Sequence, residues 1–209
     1  MPTMLRERPV AVLTPDAELP EWAREWGRRC SASLRAVAVP YRDGSGPAAV
    51  AEEVRRPGAL AGEVVLVPRP PVRRALPARV VAAVHELPDD APVLAWAAEC
   101  ARGLGGEVLV VHAVPYAFAE RSLGVDAAVQ RGRATLAAAC SWLRTEDPGL
   151  PAVSRLARGW PHEFLGERLD ADLLVVGGPR PAARGALGRV ATDALHHAPC
   201  PSCSYRGRP

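Results

Sequence analysis

Four residues within a span of eight, His196, His197, Cys200 and Cys203, carry the densest metal-type chemistry in the chain. Imidazole nitrogen and thiolate sulfur at such spacing can hold zinc or another soft metal. Cys200-Pro201-Ser202-Cys203 also has the spacing of a redox dithiol. Reactive dithiols sit at a helix N-terminus, where the local field lowers the thiol pKa. This pair follows a helix-like stretch and enters a strand-like one, which argues against redox chemistry. A second point is His85-Glu86, an imidazole beside a carboxylate at the end of an apolar run, where a general base would stand. His162 follows Trp160-Pro161 at a helix start, and Ser122 and Ser141 lie on or beside a helical stretch without a Gly-x-Ser-x-Gly elbow. No catalytic triad assembles from these residues, so no catalytic residue is assigned and no enzyme is expected. The third point is the stretch 177–189, with Gly177, Gly178, Arg180, Arg184, Gly188 and Arg189. Glycine lets backbone N–H groups approach a phosphate closely, and guanidinium forks bind phosphate bidentately.

The elements that must position these residues alternate. Arg79 to Val84 is a nearly uninterrupted apolar run, as suits a parallel strand buried on both faces. Asp89 and Asp90 offer an N-cap, and Val93, Leu94, Ala97, Ala98 and Ala101 recur at helical spacing up to Gly103 and Gly105-Gly106. Glu107 to Val114 is a second strand, a long helix fits about 119 to 144, and Val153 to Leu156 is a weak third strand. A helix from about 161 to 169, a strand at Leu173–Val176, a helix from about Gly188 to His197 and a poor last strand within Cys200 to Tyr205 complete the chain. Strand alternating with helix predicts an α/β fold, a doubly wound parallel sheet with right-handed crossovers. Ligands of such sheets sit beyond the carboxyl ends of the strands, which directs attention to residues 84–88, 113–116 and 177–189.

The chain is 209 residues long, 48% hydrophobic and 23% charged, with a net charge of +3. It contains no lysine, asparagine or isoleucine, Gln130 is the only glutamine, and all 26 basic residues are arginine. This bias is that of a GC-rich genome, so the arginine count carries little meaning by itself. The missing lysine excludes a Walker-type phosphate lysine, a Schiff base and a pyridoxal anchor. The small net charge and 5% aromatic content give no nucleic-acid surface. No apolar run approaches the roughly 20 residues of a membrane span, and no apolar signal core succeeds Met1, so the expected location is the cytoplasm. The five cysteines (Cys30, Cys100, Cys140, Cys200, Cys203) are expected to be buried and reduced there.

The stretch before residue 77 reads as a worn copy of the stretch after it. Trp22-Ala23-Arg24-Glu25 leads to Val37-Ala38-Val39-Pro40-Tyr41, as Trp96-Ala97-Ala98-Glu99 leads to His112-Ala113-Val114-Pro115-Tyr116, with Trp-to-Tyr spacings of 19 and 20 residues. Pro9 to Leu13 would be its first strand. Val64-Val65-Leu66-Val67-Pro68-Arg69-Pro70 echoes Leu174-Val175-Val176-Gly177-Gly178-Pro179-Arg180-Pro181. Between Tyr41 and Val64 there is room for one helix. We expect a tandem duplication, a truncated repeat over 1–76 and a full one over 77–209. Trp22 and Trp96 take matching places and are expected to anchor the core.

Residues 79–205 resemble the universal stress protein family of small α/β domains. The resemblance rests on Ala82-Ala83-Val84-His85-Glu86-Leu87-Pro88 running into Leu94-Ala95-Trp96-Ala97-Ala98-Glu99. It rests further on Gly159 with Pro161, on Asp172-Leu173-Leu174-Val175-Val176-Gly177, and on His197-Ala198-Pro199-Cys200-Pro201. It implies a Rossmann-like fold, sometimes in tandem, frequent adenine-nucleotide binding, frequent dimerisation, and a structural turn in place of a metal site at His197-Ala198-Pro199-Cys200-Pro201. It places the candidate nucleotide or anion site at His85, Glu86, Val114, Gly177, Gly178, Arg180, Arg184, Gly188 and Arg189. Against the family's glycine loop, Gly177 and Gly188 keep their positions, but Arg180 replaces a glycine and Arg189 a small hydroxyl residue. Seven residues stand where nine are usual, and Pro179 and Pro181 remove N–H donors. His85 replaces an aspartate and Glu86 a glycine. The expectation is an eroded adenine-nucleotide site in a non-catalytic stress or regulatory module acting through protein contacts. The alternative is an ATP-, AMP- or anion-binding protein, or a slowly hydrolytic nucleotide protein, that uses Arg180, Arg184 and Arg189. The last strand in the family often pairs across a dimer axis. Here Ser202-Cys203-Ser204-Tyr205 is polar for that, so the two repeats are expected to pack as an internal pseudo-dimer.

Overall fold

The computed structural model describes residues 9–39, 64–67, 69, 77–115, 124–165, 169–178 and 189–205. The elements are β1 (Val10–Thr14), α1 (Glu21–Cys30), β2 (Leu34–Ala38), β3 (Val64–Val67), β4 (Arg79–Ala83), α2 (Ala91–Leu104) and β5 (Glu107–Val114). They continue with α3 (Gly124–Glu146), β6 (Ala152–Arg158), α4 (Pro161–Leu165), β7 (Leu173–Gly177), α5 (Arg189–His197) and β8 (Ser202–Tyr205). The helix expected between Tyr41 and Val64, the start expected for the long helix at 119–123, and Arg180, Arg184 and Gly188 lie outside the described residues.

All eight strands form one sheet in the order β2-β1-β3-β8-β7-β4-β5-β6. Every neighbouring pair is parallel except β3 and β8, which run antiparallel with Leu66 opposite Cys203. The expected α/β, mostly parallel architecture is therefore present. Of the central strands, β3, β7 and β4 are apolar runs, because a strand covered on both faces has no polar side to show, and β8 between β3 and β7 is the exception. β1, β3 and β8 are buried throughout, whereas β6 at one edge leaves Val153, Ser154 and Arg155 exposed. The edges explain two differences from the sequence reading. β2 begins at Leu34, earlier than the apolar run at 37–41, because pairing with β1 from Val10↔Leu34 onward recruits polar residues. β6 extends from Ala152 through Arg158, because β5 offers a partner along its whole length.

One apolar cluster spans both parts of the chain. It joins Val10, Val12, Trp26, Val64 and Leu66 to Val80, Leu94, Trp96, Val110, Val175, Cys203 and Tyr205, beneath α1, α2 and α3. A second cluster holds Val81, Val111, Leu174, Val176, Leu165 and Ala194, beneath α4 and α5. Val80 and Val81 are successive strand residues, so the clusters lie on opposite faces of the sheet. Trp96 is fully buried as expected, while Trp22 is only partly buried at the cluster's margin.

Two glycines are required by geometry. Gly105 ends α2 in the left-handed region at φ 66°, its N–H returning to Arg102. Gly106, just before β5, passes so close to the residue preceding β4 that a Cβ there would fall 2.0 Å from the Ala78 carbonyl oxygen. At the same amino edge, the Arg79 N–H donates to Asp172 at 2.7 Å and its guanidinium reaches Glu107 at 2.6 Å and Asp170 at 2.8 Å. The opposite, carboxyl edge is left for the loops that shape the site.

Candidate functional site

β4 lies between β5 and β7, and the chain winds outward from it in both directions. The carboxyl ends of these three strands therefore border a crevice where the winding reverses, the usual ligand position of open α/β sheets. Ala83 ends β4, Val114 ends β5 and Gly177 ends β7. The structure thus brings together His85, Glu86, Val114, Gly177 and Gly178 of the expected site. Arg189 opens α5, which places its backbone beyond the same edge.

The loop after β4 is organised by Asp90, the residue preceding α2. The sequence suggested a helix cap, but the Asp90 carboxylate makes no cap bond and turns back along the loop. Its Oδ2 accepts the Glu86 N–H at 3.0 Å and the His85 N–H as well. The Asp90 N–H in turn donates to the Glu86 carbonyl at 3.0 Å. The other oxygen, Oδ1, lies 3.3 Å from the position a Cβ on Gly177 would take. A carboxylate thus sits against the first residue of the glycine stretch. The exposed Glu86 adds a second negative charge nearby.

β5 contributes His112, a residue the sequence reading left inside a strand. Its ring is half-buried, with Nδ1 3.1 Å from the Val84 carbonyl oxygen. That contact makes Nδ1 the protonated nitrogen of the neutral ring. The exposed His85 stacks on it, with ring centroids 6.2 Å apart and planes 19° from parallel. Burial holds the His112 pKa below the ordinary imidazole value, and His85 pushes the same way, against the opposing pull of the Val84 carbonyl and Asp90. From the far side α3 presents Gly132, where a Cβ would come 2.7 Å from Leu156, 2.9 Å from His112 and 3.1 Å from Val114. Val114 is buried, its carbonyl accepting the Gly159 N–H at 3.2 Å. Trp160 comes next, exposed at the crevice's outer end, with its N–H held by Glu163 at 3.1 Å. Asp90 and His112 carried little sequence signal, being an aspartate at a helix start and one polar residue in an apolar strand.

The other sequence candidates are dispersed. Cys200 belongs to the cluster on one face of the sheet and Cys203 to that on the other, and His197 is exposed at the end of α5. The Cys200/Cys203 spacing therefore does not produce a facing dithiol, because a bend and a strand step separate the two side chains. The His196 side chain lies outside the described residues. Among the described residues no group of three or more His, Cys, Asp or Glu side chains is placed to hold a metal ion. Ser141 is exposed on α3, where its carbonyl accepts the Thr145 hydroxyl at 3.1 Å. All five cysteines are buried free thiols. No helix among the described residues is long and apolar enough to cross a membrane.

An open α/β sheet with a loop-lined crevice at its winding reversal defines a class of ligand-site scaffold; comparison with known proteins identifies the particular lineage. The model of the universal stress protein family matches residues 78–202, and the chain belongs to that family. No curated protein matches the chain in a sequence comparison. A universal stress protein from Archaeoglobus fulgidus is 28% identical, over 62% of this chain and 98% of its own, with a TM-score of 0.53. A functionally unknown protein from Pseudomonas aeruginosa PAO1 is 15% identical over 98% of this chain and 93% of its own, with a TM-score of 0.55, and shares the fold. A universal stress protein from Archaeoglobus fulgidus in complex with dAMP is 30% identical over 61% of this chain and 95% of its own, with a TM-score of 0.49.

Proposed function

We propose that this universal stress protein is a non-catalytic regulatory module of the cytoplasm whose adenine-nucleotide site is eroded, and that it works through protein contacts. The observation that carries the reading is the Asp90 carboxylate packed against Gly177, the start of the stretch that should cradle phosphate. Glycine amides recognise phosphate by close, uncharged or positive approach. A carboxylate already bound to the His85 and Glu86 amides takes up such donors and adds repulsion. The arginine and two prolines at 179–181 further reduce the donors available in the adjoining sequence.

The proposal extends to architecture. The strand order β2-β1-β3 repeats the order β5-β4-β7, with each opening strand between its two successors. This supports a duplication with a shortened repeat over 1–76 and a full one over 77–209. The antiparallel β3–β8 pair supports an internal pseudo-dimer, in which the shortened repeat borrows the last strand of the full one.

Isothermal titration of the full chain with ATP and AMP tests the reading. The expected result is no saturable heat at micromolar nucleotide and no phosphate release on prolonged incubation with ATP. Micromolar binding lost in Arg180→Ala would overturn it and assign the site to the arginine loop.

A further inference from the structure

Three thiols outside the crevice gather where α1 meets α2 and β8. Cys30 closes α1 and is 4% exposed, while Cys100 on α2 and Cys203 on β8 are fully buried. The Cys30 Sγ–H points to the Cys100 carbonyl oxygen, 3.8 Å away. Gly103, one turn further along α2, permits this approach: a Cβ there would meet Cys30 Sγ at 2.8 Å, Cys30 Cα at 2.9 Å and the Arg29 carbonyl at 3.0 Å. Arg29 then crosses to donate to the Leu104 carbonyl at 2.6 Å, fixing the end of α1 against the end of α2.

We propose that Cys30 and Cys100 are a modification site, joined as a disulfide when the protein meets a peroxide. The bond would fasten α1, from the amino-terminal segment, to α2, the first helix of the family-matched region. Burial keeps Cys100 a neutral thiol, which is a poor nucleophile, so the pair is quiet while α1 is docked. Arg28, Arg29 and Ser31 around the end of α1 are exposed, and opening of this last turn, with rupture of the Arg29–Leu104 hydrogen bond, admits the oxidant to both thiols. The Cys30 thiolate attacks a peroxide oxygen, the O–O bond breaks, and a sulfenic acid and water result. With the turn open, the Cys100 sulfur attacks that sulfur as its proton passes to the departing hydroxide; the S–O bond breaks and a second water leaves. Two thiols lose two protons and two electrons, and the peroxide is reduced to two waters.

The test uses the full chain, treated with hydrogen peroxide, alkylated under denaturing conditions and digested without reduction. Mass spectrometry is expected to find a peptide pair joining Cys30 to Cys100, lighter than the two free thiols by two hydrogens, and to find it again in Cys203→Ser but not in Cys100→Ser. The oxidised wild-type chain is expected to melt about 10 °C above the reduced one, since the bond closes a long loop. Free alkylated thiols at both positions after oxidation would overturn the proposal, and so would a bond from Cys30 to Cys203 in the wild-type chain. These outcomes do not depend on whether the crevice binds nucleotide.

Discussion

At the crevice one carboxylate sets both loop shape and local charge. Asp90 holds the amides of His85 and Glu86 with one oxygen and lies against Gly177 with the other. Asp90→Asn keeps the shape but removes the charge-assisted part of the hydrogen bonds. We expect a loss of about 1 kcal/mol in urea unfolding and faster amide exchange at 85 and 86. His112 gives a pH signature. Its pKa in the fold lies below that of the unfolded chain, so the unfolded state binds the proton more readily. The stability contributed is fully present above the ordinary imidazole value, about 6.5, and is lost as pH falls through it towards the folded value. Wild-type melting temperature should therefore drop between pH 8 and pH 5, and His112→Gln should drop less; equal slopes would contradict the assignment. Thr14 Oγ1 and Ser204 Oγ are buried and find no hydrogen-bond partner among the described residues. Thr14→Val, which keeps the shape and removes the stranded hydroxyl, should raise stability by about 1 kcal/mol in the same assay. These residue roles were the least legible part of the chain. Asp90 reads as a helix cap until the loop is folded, and a histidine among valines gives no hint that its neighbour will be another histidine from the loop beyond the adjacent strand.

Elements were legible where one physical signal dominated. β4, β5 and β7 are apolar runs too short for helices, and the paired glycines 105 and 106 stop α2 where the sequence placed the stop. Gly106 is the stricter of the two, because β4 and β5 must converge there. Gly106→Ala forces a Cβ towards the Ala78 carbonyl at 2.0 Å and should cost roughly 3 kcal/mol or more, read as a lower urea midpoint with unchanged slope. β8 was the misleading element. Ser-Cys-Ser-Tyr is polar by composition, yet all four residues are buried, because the strand has a partner on each side and helices lie over the sheet. Composition shows what a strand would prefer to expose; it does not show that β3, far back in the chain, will cover its open edge.

Across the whole molecule the apolar cluster beneath α1, α2 and α3 is continuous from Val10 to Tyr205. We therefore expect one cooperative unfolding transition, with fluorescence of the tryptophans and far-ultraviolet circular dichroism superimposing. Cys203→Asp would bury a charge at the joint between the two parts of the sheet. It should cost several kcal/mol and remove amide protection from β1 and β7 together, whereas loss confined to one side would separate the parts. The sequence argument for a duplication rests on Trp, Pro-Tyr and strand order recurring together. The way the two parts join had no such trace, because antiparallel pairing between residues 64–67 and 202–205 leaves no local mark.

The seam made by β8 also fixes an order of events during synthesis. β3 leaves the ribosome early, but the strand that completes its outer edge is about 135 residues behind it. At ordinary elongation rates that is on the order of ten seconds in which a short, wholly apolar strand presents unpaired amides and carbonyls. Until β8 emerges, the amino-terminal segment of a nascent chain thus carries one strand edge that nothing synthesised before it can close.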